Sequence, residues 1–149
     1  MTNAKRLSSI AAVGVAAASC AAWMVASPAT ANAATMPCSS AARACVDLAT
    51  QEAWLAHDGK VVYGPVKVRT GRPSFPTAPG TFHVSYKDRD HVSSVYHTPM
   101  PYSVFFNGGD AFHEGSLAVS SHGCVHLSHA AAVRFYDTLH TGDEVQVVR

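Results

Sequence analysis

The residues best suited to chemistry lie in one short segment, 121–127, with the sequence Ser-His-Gly-Cys-Val-His-Leu. A cysteine reacts as its thiolate, and an ordinary cysteine is only a few per cent ionised at neutral pH. An imidazole within hydrogen-bond distance can take the thiol proton and stabilise the thiolate. The segment therefore predicts that Cys124 is a nucleophile assisted by a histidine.

Two histidines are candidates for the base that activates Cys124. His113 precedes the cysteine by eleven positions and can face it from the end of a strand. His122 is two residues from Cys124, and residues so spaced share a face of an extended segment, so His122 also stays a candidate. Gly123 has no Cβ and lets a substrate approach the backbone, so the N–H groups of Gly123 and Cys124 can face a developing oxyanion.

Two other interpretations of Cys124 remain open. A free cysteine is commonly a small buried hydrophobe, although the polar neighbours of Cys124 favour a reactive thiol. Zinc is the second alternative, and its candidate ligands are His113, His122, Cys124, His126 and His129. The spacing of these ligands matches none of the standard zinc signatures. We therefore expect neither a metal nor another cofactor.

Residues 1–33 have the features of a signal peptide. Lys5 and Arg6 precede a long uncharged apolar run, and Ala31-Asn32-Ala33 supplies the small residues that signal peptidase requires. A membrane anchor and a lipidated Cys20 are the alternatives. We expect cleavage after Ala33, export of the chain and no stable membrane insertion afterwards.

Cleavage would leave residues 34–149, which is a length typical of one domain. The net charge of +1 would fall by two, to −1, because Lys5 and Arg6 leave with the signal peptide. This balance gives no reason to expect nucleic acid as a partner. Cys38 and Cys45 flank a short loop, and a disulfide between them would leave Cys124 as the odd thiol.

The elements around these residues are predicted to be mainly strands. Asp58-Gly59 separates two apolar runs and predicts a β-hairpin, in which Trp54 belongs to the core. Apolar and polar residues alternate over 66–69 and 81–86, which indicates two further strands. Residues 71–80 contain three prolines and are expected to form a loop. Residues 102–106 predict a buried strand, and 112–113 a short one.

One helix is predicted near the C-terminus. Ser128 can cap it, and Gly142 follows it. The apolar positions at helical spacing are Ala132, Phe135, Tyr136 and Leu139. A final strand is expected at 145–148. The sequence thus predicts one mainly β domain with one main α-helix.

The segment 121–127 resembles the sequence around the nucleophile of the L,D-transpeptidase catalytic domain, also called the YkuD-like family. Residues 77–82, Thr-Ala-Pro-Gly-Thr-Phe, are similar to the family's Thr-Pro-x-Gly-x-Phe segment, although Ala78 separates the threonine from the proline. Residues 100–103, Met-Pro-Tyr-Ser, precede a strand that leads to the upstream histidine, as in members with a tyrosine near the donor pocket. The resemblance covers residues 44–149 and implies a compact β-sandwich.

The resemblance implies that Cys124 is the nucleophile and that His113 is its general base, oriented by a backbone carbonyl. The residues implied to bind the substrate or the oxyanion are Tyr102, Ser121, His122, Gly123 and His126. The implied substrate is a peptidoglycan stem tetrapeptide, which loses D-alanine and forms a thioester. An amine acceptor then gives a 3→3 cross-link, whereas water would make the enzyme an L,D-carboxypeptidase. A secreted wall-binding protein without turnover is the non-enzymatic alternative.

Further expectations follow from the same resemblance. Carbapenem β-lactams should acylate Cys124, and the exported chain should associate with the cell wall, as a monomer. His126 stands where the family commonly has arginine, so a contact with substrate there would be weaker or pH-dependent. Residues 88–101 are predicted to cover the site as a lid. We expect surface or strand positions for His83, His91 and His97.

Overall fold

The fold of the chain comes from a computed structural model that describes residues 35–149, so the predicted signal peptide lies outside the described residues. Within that part of the chain, no helix is both long enough and apolar enough to cross a membrane. The strands are β1 Ala44–Asp47, β2 Glu52–His57, β3 Lys60–Lys67, β4 Gly80–His83, β5 Tyr86–Val92, β6 Pro99–Asn107, β7 Asp110–Glu114, β8 Val125–Leu127 and β9 Glu144–Val148. The helix α1 spans His129–Thr138, between β8 and β9.

The nine strands form two sheets. One sheet has the order β3-β2-β1-β9-β4, and the other has the order β5-β6-β7-β8. Pairing is antiparallel except for β1 with β9 and β7 with β8. The described residues are 47% strand and 9% helix, which confirms the predicted mainly β fold with one helix near the C-terminus.

The β2–β3 hairpin forms where the sequence predicts it. Asp58 and Gly59 have φ angles of 49° and 73°, and the flanking residues His57 and Lys60 pair across the turn. Two consecutive residues with positive φ are typical of the tight turn that matches the twist of adjacent strands.

The prediction of a single strand over residues 81–86 is wrong, because the chain changes sheets within it. β4 ends at His83 and pairs with β9, whereas β5 begins at Tyr86 and pairs with β6. The Val84 N–H donates to Asp143 O at 2.9 Å, and the Ser85 N–H donates to Phe105 O at 2.8 Å. Adjacent residues therefore bond to different parts of the fold.

The main core holds the two sheets and α1 together. The rings of Phe112 on β7 and Phe135 on α1 are fully buried, and their centroids lie 5.0 Å apart. Ser128 caps α1 as predicted, since its Oγ accepts from the Ala131 N–H at 3.4 Å. The helix ends at Thr138, so Gly142 lies in the turn before β9 and not at the helix terminus. Burial of Phe135 fixes α1 directly after β8, the strand that follows Cys124.

The N-terminal end of the described chain is held by a disulfide between Cys38 and Cys45, whose Cα atoms lie 5.8 Å apart. Cys45 belongs to β1, and the Ser39 N–H donates to Gln146 Oε1 on β9 at 2.9 Å. Trp54, the predicted core residue of β2, is 2% exposed.

Candidate active site

Parallel pairing of β7 with β8 brings the segments of His113 and Cys124 together at one edge of the four-stranded sheet. Phe112 pairs with Val125, and His113 pairs with His126. Cys124 immediately precedes β8, and the register places it beside Ala111, near the start of β7. The structure thus places Cys124 next to the strand that carries His113, eleven residues earlier in the sequence.

Cys124 is the free cysteine of the described residues and is partly buried. Its Sγ lies 3.7 Å from Gly109 O and packs beside the buried cluster of Met100, Phe105 and Ala111. Burial raises the pKa of the Cys124 thiol to about 11; the nearby Asp110 carboxylate raises it further, whereas a hydrogen bond with the Ala111 backbone lowers it. The sequence predicted a lowered thiol pKa, and the apolar surroundings give the opposite direction in the substrate-free protein.

His113 is 6% exposed, and its Nδ1 lies 2.7 Å from Glu114 O. A carbonyl oxygen only accepts, so Nδ1 carries the proton of the neutral ring and Nε2 keeps a free lone pair. Burial lowers the pKa of His113 to about 4, and the positive charge that His126 and His91 can bear lowers it further, against the opposing effect of the Glu114 carbonyl. His113 is therefore a neutral base at neutral pH.

The loop before Cys124 is held by its own hydrogen bonds. Ser121 Oγ donates to Cys124 O at 2.5 Å and accepts from the Gly123 N–H at 3.1 Å. Thr77 Oγ1, in the Pro-rich loop, donates to Gly123 O at 2.7 Å. Because the Gly123 N–H is already bonded to Ser121, the Cys124 N–H is the better candidate for an oxyanion contact.

Gly123 is required by both conformation and space. Its φ of +124° lies in the region that residues with side chains rarely adopt. A Cβ at this position would also collide with Asp110 Oδ1. The close approach of Asp110 to Gly123 brings a carboxylate to the cysteine loop.

His122 and His126 take different positions around the site. The exposed His122 ring stacks on Tyr96 with centroids 4.4 Å apart, and it lies 5.3 Å from the Phe75 ring. The His126 Nδ1 lies 2.9 Å from Ser116 O, and its ring lies 4.9 Å from the His113 ring. His122 thus forms part of an aromatic wall, and His126 holds the loop that follows β7.

Two cavities meet at Cys124 and share Tyr96, Met100 and His122 as walls. The first, here called the Asp110 cavity, has about 390 Å³ and is also lined by Tyr86, His91, Val95, Phe105 and Asp110. The second, here called the His113 cavity, has about 440 Å³ and is also lined by His113, Val119, Ser120, Ser121 and His126. The candidate nucleophile is therefore reached from two sides.

The structure also gives the positions of Tyr102, of the predicted lid and of His91 relative to the two cavities. Tyr102 is not brought to either cavity, because it packs at the main core with the rings of His129 and Tyr136, at 5.5 and 5.9 Å. Residues 88–101 include parts of β5 and β6 and the turn between them, whose Tyr96 lines both cavities; the movement of a lid stays a prediction. His91, expected at a surface or strand position, lies on β5 and also lines the Asp110 cavity.

Sequence reasoning missed Asp110 and Thr77 as parts of the site. Asp110 follows the Asn107-Gly108-Gly109 turn, and a lone acidic residue between a turn and a buried strand was the available signal. Thr77 is 2% exposed, but nothing in its local sequence indicates that its hydroxyl bonds to Gly123. Among residues 35–149, no three His, Cys, Asp or Glu side chains are grouped closely enough to hold a metal ion.

The fold and the sequence match solved L,D-transpeptidases. The L,D-transpeptidase from Stackebrandtia nassauensis is 36% identical with a TM-score of 0.68, and the match covers 71% of this chain and 54% of that one. The L,D-transpeptidase from Xylanimonas cellulosilytica is 27% identical with a TM-score of 0.67, and covers 76% and 63% of the two chains. An L,D-transpeptidase solved in complex with imipenem is 26% identical with a TM-score of 0.64, and covers 70% and 57%.

This chain therefore spans between 54% and 63% of the length of those three solved chains. A comparison with curated proteins gives no match. The family model of the L,D-transpeptidase catalytic domain, YkuD, matches residues 41–147, which include both strands and the loop that hold His113 and Cys124. On this match and on the shared fold, the chain belongs to the L,D-transpeptidase catalytic domain family.

Proposed function

We propose that this protein is a cysteine-dependent L,D-transpeptidase that acts on peptidoglycan stem tetrapeptides. The observation that supports this most directly is the arrangement of a free thiol and a neutral imidazole on adjacent strands, both lining the His113 cavity. Cys124 is the nucleophile, and His113 is the general base. No metal and no other cofactor takes part.

The first half-reaction begins from a neutral pair. With a thiol pKa of about 11, only about one Cys124 in ten thousand is ionised at pH 7. Proton transfer to His113 Nε2 therefore accompanies the attack of Sγ on the carbonyl between the third stem residue and the terminal D-alanine. The imidazolium then gives its proton to the departing amine of D-alanine, and the stem remains as a thioester on Cys124.

The oxyanion of this step is proposed to bind at the N–H of Cys124. Ser121 supports that group indirectly, since its hydroxyl holds both the Cys124 carbonyl and the Gly123 N–H. Backbone donors fixed before the reaction stabilise developing charge without reorganisation. His122 and His126 line the cavities. Because His126 Nδ1 already bonds to Ser116 O, we propose His113 and not His126 as the base.

The second half-reaction decides the product. An amine of a neighbouring stem attacks the thioester and gives a 3→3 cross-link, whereas water gives a shortened stem and makes the protein an L,D-carboxypeptidase. We propose an exported location at the cell wall, after removal of residues 1–33, where such an amine is abundant. The acylated form should also arise with carbapenems, since a related L,D-transpeptidase was solved in complex with imipenem.

One observation favours a second candidate. A buried thiol with a raised pKa is also what a secreted wall-binding protein without turnover would have, because such a protein needs no nucleophile. The two functions differ in whether Cys124 forms a covalent acyl bond at neutral pH.

Intact mass after incubation with imipenem separates the two functions. The wild type should gain one equivalent of the drug, mapped to the Cys124 peptide, and Cys124→Ser should gain none. His113→Ala should slow the reaction by about a hundredfold or more, which is the usual contribution of a general base. His83→Ala, which changes an exposed histidine of β4 in the same way, is the matched control and should react at the wild-type rate. Folded, reduced protein that gains no mass would instead be the non-catalytic wall-binding protein.

A further inference from the structure

The Asp110 cavity has walls that suit an aliphatic chain. The rings of Tyr86 and Phe105 stack at 4.4 Å with an interplanar angle of 3°, and His91 meets Phe105 edge-on at 4.9 Å. Met100 and Tyr96 continue the wall to Cys124. Methylene groups bury favourably against such surfaces.

The same cavity has one carboxylate. Of the described residues that line it, Asp110 is the only carboxylate and none is lysine or arginine; the two lining histidines are His122 and His91, whose Nδ1 lies 3.0 Å from Asp88 Oδ2. A carboxylate in a concave, mainly apolar site attracts cations and repels anions, because low-dielectric walls focus its field. The cavity therefore selects for a positively charged group.

Asp110 has the capacity to bind such a group. The Asn107 side-chain amide donates to Asp110 Oδ2 at 3.2 Å, and the hydrogen bonds of residues 35–149 give Oδ1 no donor. Oδ1 lies against Gly123, the residue before the nucleophile. Half-burial raises the pKa of Asp110 above its usual range, so its negative charge is incompletely stabilised by the protein. A cation held at Oδ1 would complete the set of hydrogen bonds beside Cys124.

We propose that the Asp110 cavity receives the acceptor substrate as a primary ammonium at the end of an aliphatic chain, and that Asp110 determines the preference for this amine over water. This inference rests on the proposed function and deepens it by naming the acceptor side of the site and the residue that recognises the acceptor. The His113 cavity, with its base and no carboxylate in its lining, is left for the acyl donor.

The acceptor ammonium loses two protons when its nitrogen takes the acyl group from Cys124. The ammonium gives one proton to the Asp110 carboxylate, which returns it to solvent, and becomes a neutral amine. The amine nitrogen forms a bond to the thioester carbonyl carbon, and the carbon–sulfur bond breaks. The second proton leaves the nitrogen for His113 and passes to the departing sulfur, so the products are an amide and the free thiol.

The experiment measures how one thioester divides between aminolysis and hydrolysis. The full chain is given a soluble stem tetrapeptide whose own amines are blocked, with Nα-acetyl-lysine amide as the acceptor, and both products are quantified by mass spectrometry. The ratio of the two products does not depend on how fast the thioester forms or on how much of the protein is folded. The variants are Asp110→Asn, Asp110→Glu and the control Asp58→Asn, which makes the same change at an exposed hairpin position.

Asp110→Asn should lower the ratio of amide to hydrolysis product about tenfold, mainly through a higher KM for the amine, because a charge-assisted hydrogen bond is lost. Asp110→Glu, which keeps the charge, should recover most of the ratio, and Asp58→Asn should leave it unchanged. A ratio in Asp110→Asn within twofold of the wild type would overturn the inference, as would an equal fall in Asp58→Asn. A wild type that forms the thioester but only hydrolyses it would also overturn the inference while leaving acylation at Cys124 intact. A wild type that forms no thioester would overturn the proposed function itself.

Discussion

The rate at which iodoacetamide alkylates Cys124, measured as a function of pH, tests whether burial sets the pKa of this thiol. The sulfur lies beside an apolar cluster of Met100, Phe105 and Ala111, and the Asp110 carboxylate also raises the pKa of the thiol. Neither feature stabilises a thiolate. We expect the alkylation rate to rise about tenfold per pH unit up to at least pH 10.

The expected decrease in alkylation rate follows from the difference between the pKa of Cys124 and that of an ordinary thiol. At pH 8 a thiol with a pKa of 9.0 is about 10% ionised, whereas Cys124, with a pKa of about 11, is about 0.1% ionised. The ionised fraction is thus lower by about a hundredfold. A more basic thiolate is also a better nucleophile, and a Brønsted slope of about 0.4–0.5 recovers about six- to tenfold over two units. Alkylation at pH 8 should therefore be about 10- to 20-fold slower than for an ordinary exposed thiol.

The assay follows the alkylated Cys124 peptide by mass, with glutathione as the reference thiol in the same tube. His113→Ala should change the alkylation rate by less than about threefold, because a neutral imidazole with a pKa of about 4 does not hold a thiolate at rest. The same variant should slow acylation by imipenem by about a hundredfold or more, because that reaction requires proton transfer.

The reasoning would be refuted by an alkylation rate that reaches a plateau below pH 8 and falls steeply in His113→Ala. That result would mean that a thiolate–imidazolium pair exists before substrate binds. The pKa of His113 would then have to be raised and that of Cys124 lowered, opposite to the directions that burial gives.

Three further sets of substitutions test the site and the structure that supports it. Gly123→Ala should destabilise the protein by about 2 kcal/mol or more in urea unfolding, because φ is +124° and the added Cβ meets Asp110. His126→Arg should keep imipenem acylation at or above the wild-type rate, since arginine can also donate to the Ser116 carbonyl; a collapse would give His126 a catalytic task. Replacing both Cys38 and Cys45 by serine should cost about 2.5 kcal/mol in urea unfolding and leave acylation of the folded protein unchanged.

Local signals in the sequence were sufficient for the elements that depend on neighbours in the chain. Asp58-Gly59 predicted the β2–β3 turn because few other residue pairs adopt two consecutive positive φ angles. Ser128 predicted the start of α1 because its hydroxyl can accept a backbone N–H of the first turn. The cysteine segment predicted the family because it resembles the sequence around the nucleophile of L,D-transpeptidases.

The sequence could not predict features that depend on which strands become neighbours. Alternation over residues 81–86 indicates strand but not the sheet, so the change from β4 to β5 was missed. The parallel pairing of β7 and β8 is long-range and leaves no local pattern. The direction of the Cys124 pKa depends on burial, which follows from packing against Met100 and Phe105, and a polar flanking sequence suggested the reverse.

A neutral Cys124 thiol beside a neutral His113 imidazole is energetically compatible with the proposed catalysis. Moving a proton from a thiol with a pKa of about 11 to an imidazole with a pKa of about 4 costs roughly 10 kcal/mol if the two ions do not interact. Attraction between the two opposite charges lowers this cost further. A turnover of about one per second corresponds to a barrier of about 17 kcal/mol, so the proton transfer fits well within it. The apolar cluster around Cys124 is therefore compatible with the proposed attack. It keeps the resting thiol protonated, and a protonated thiol is less susceptible to oxidation than a thiolate.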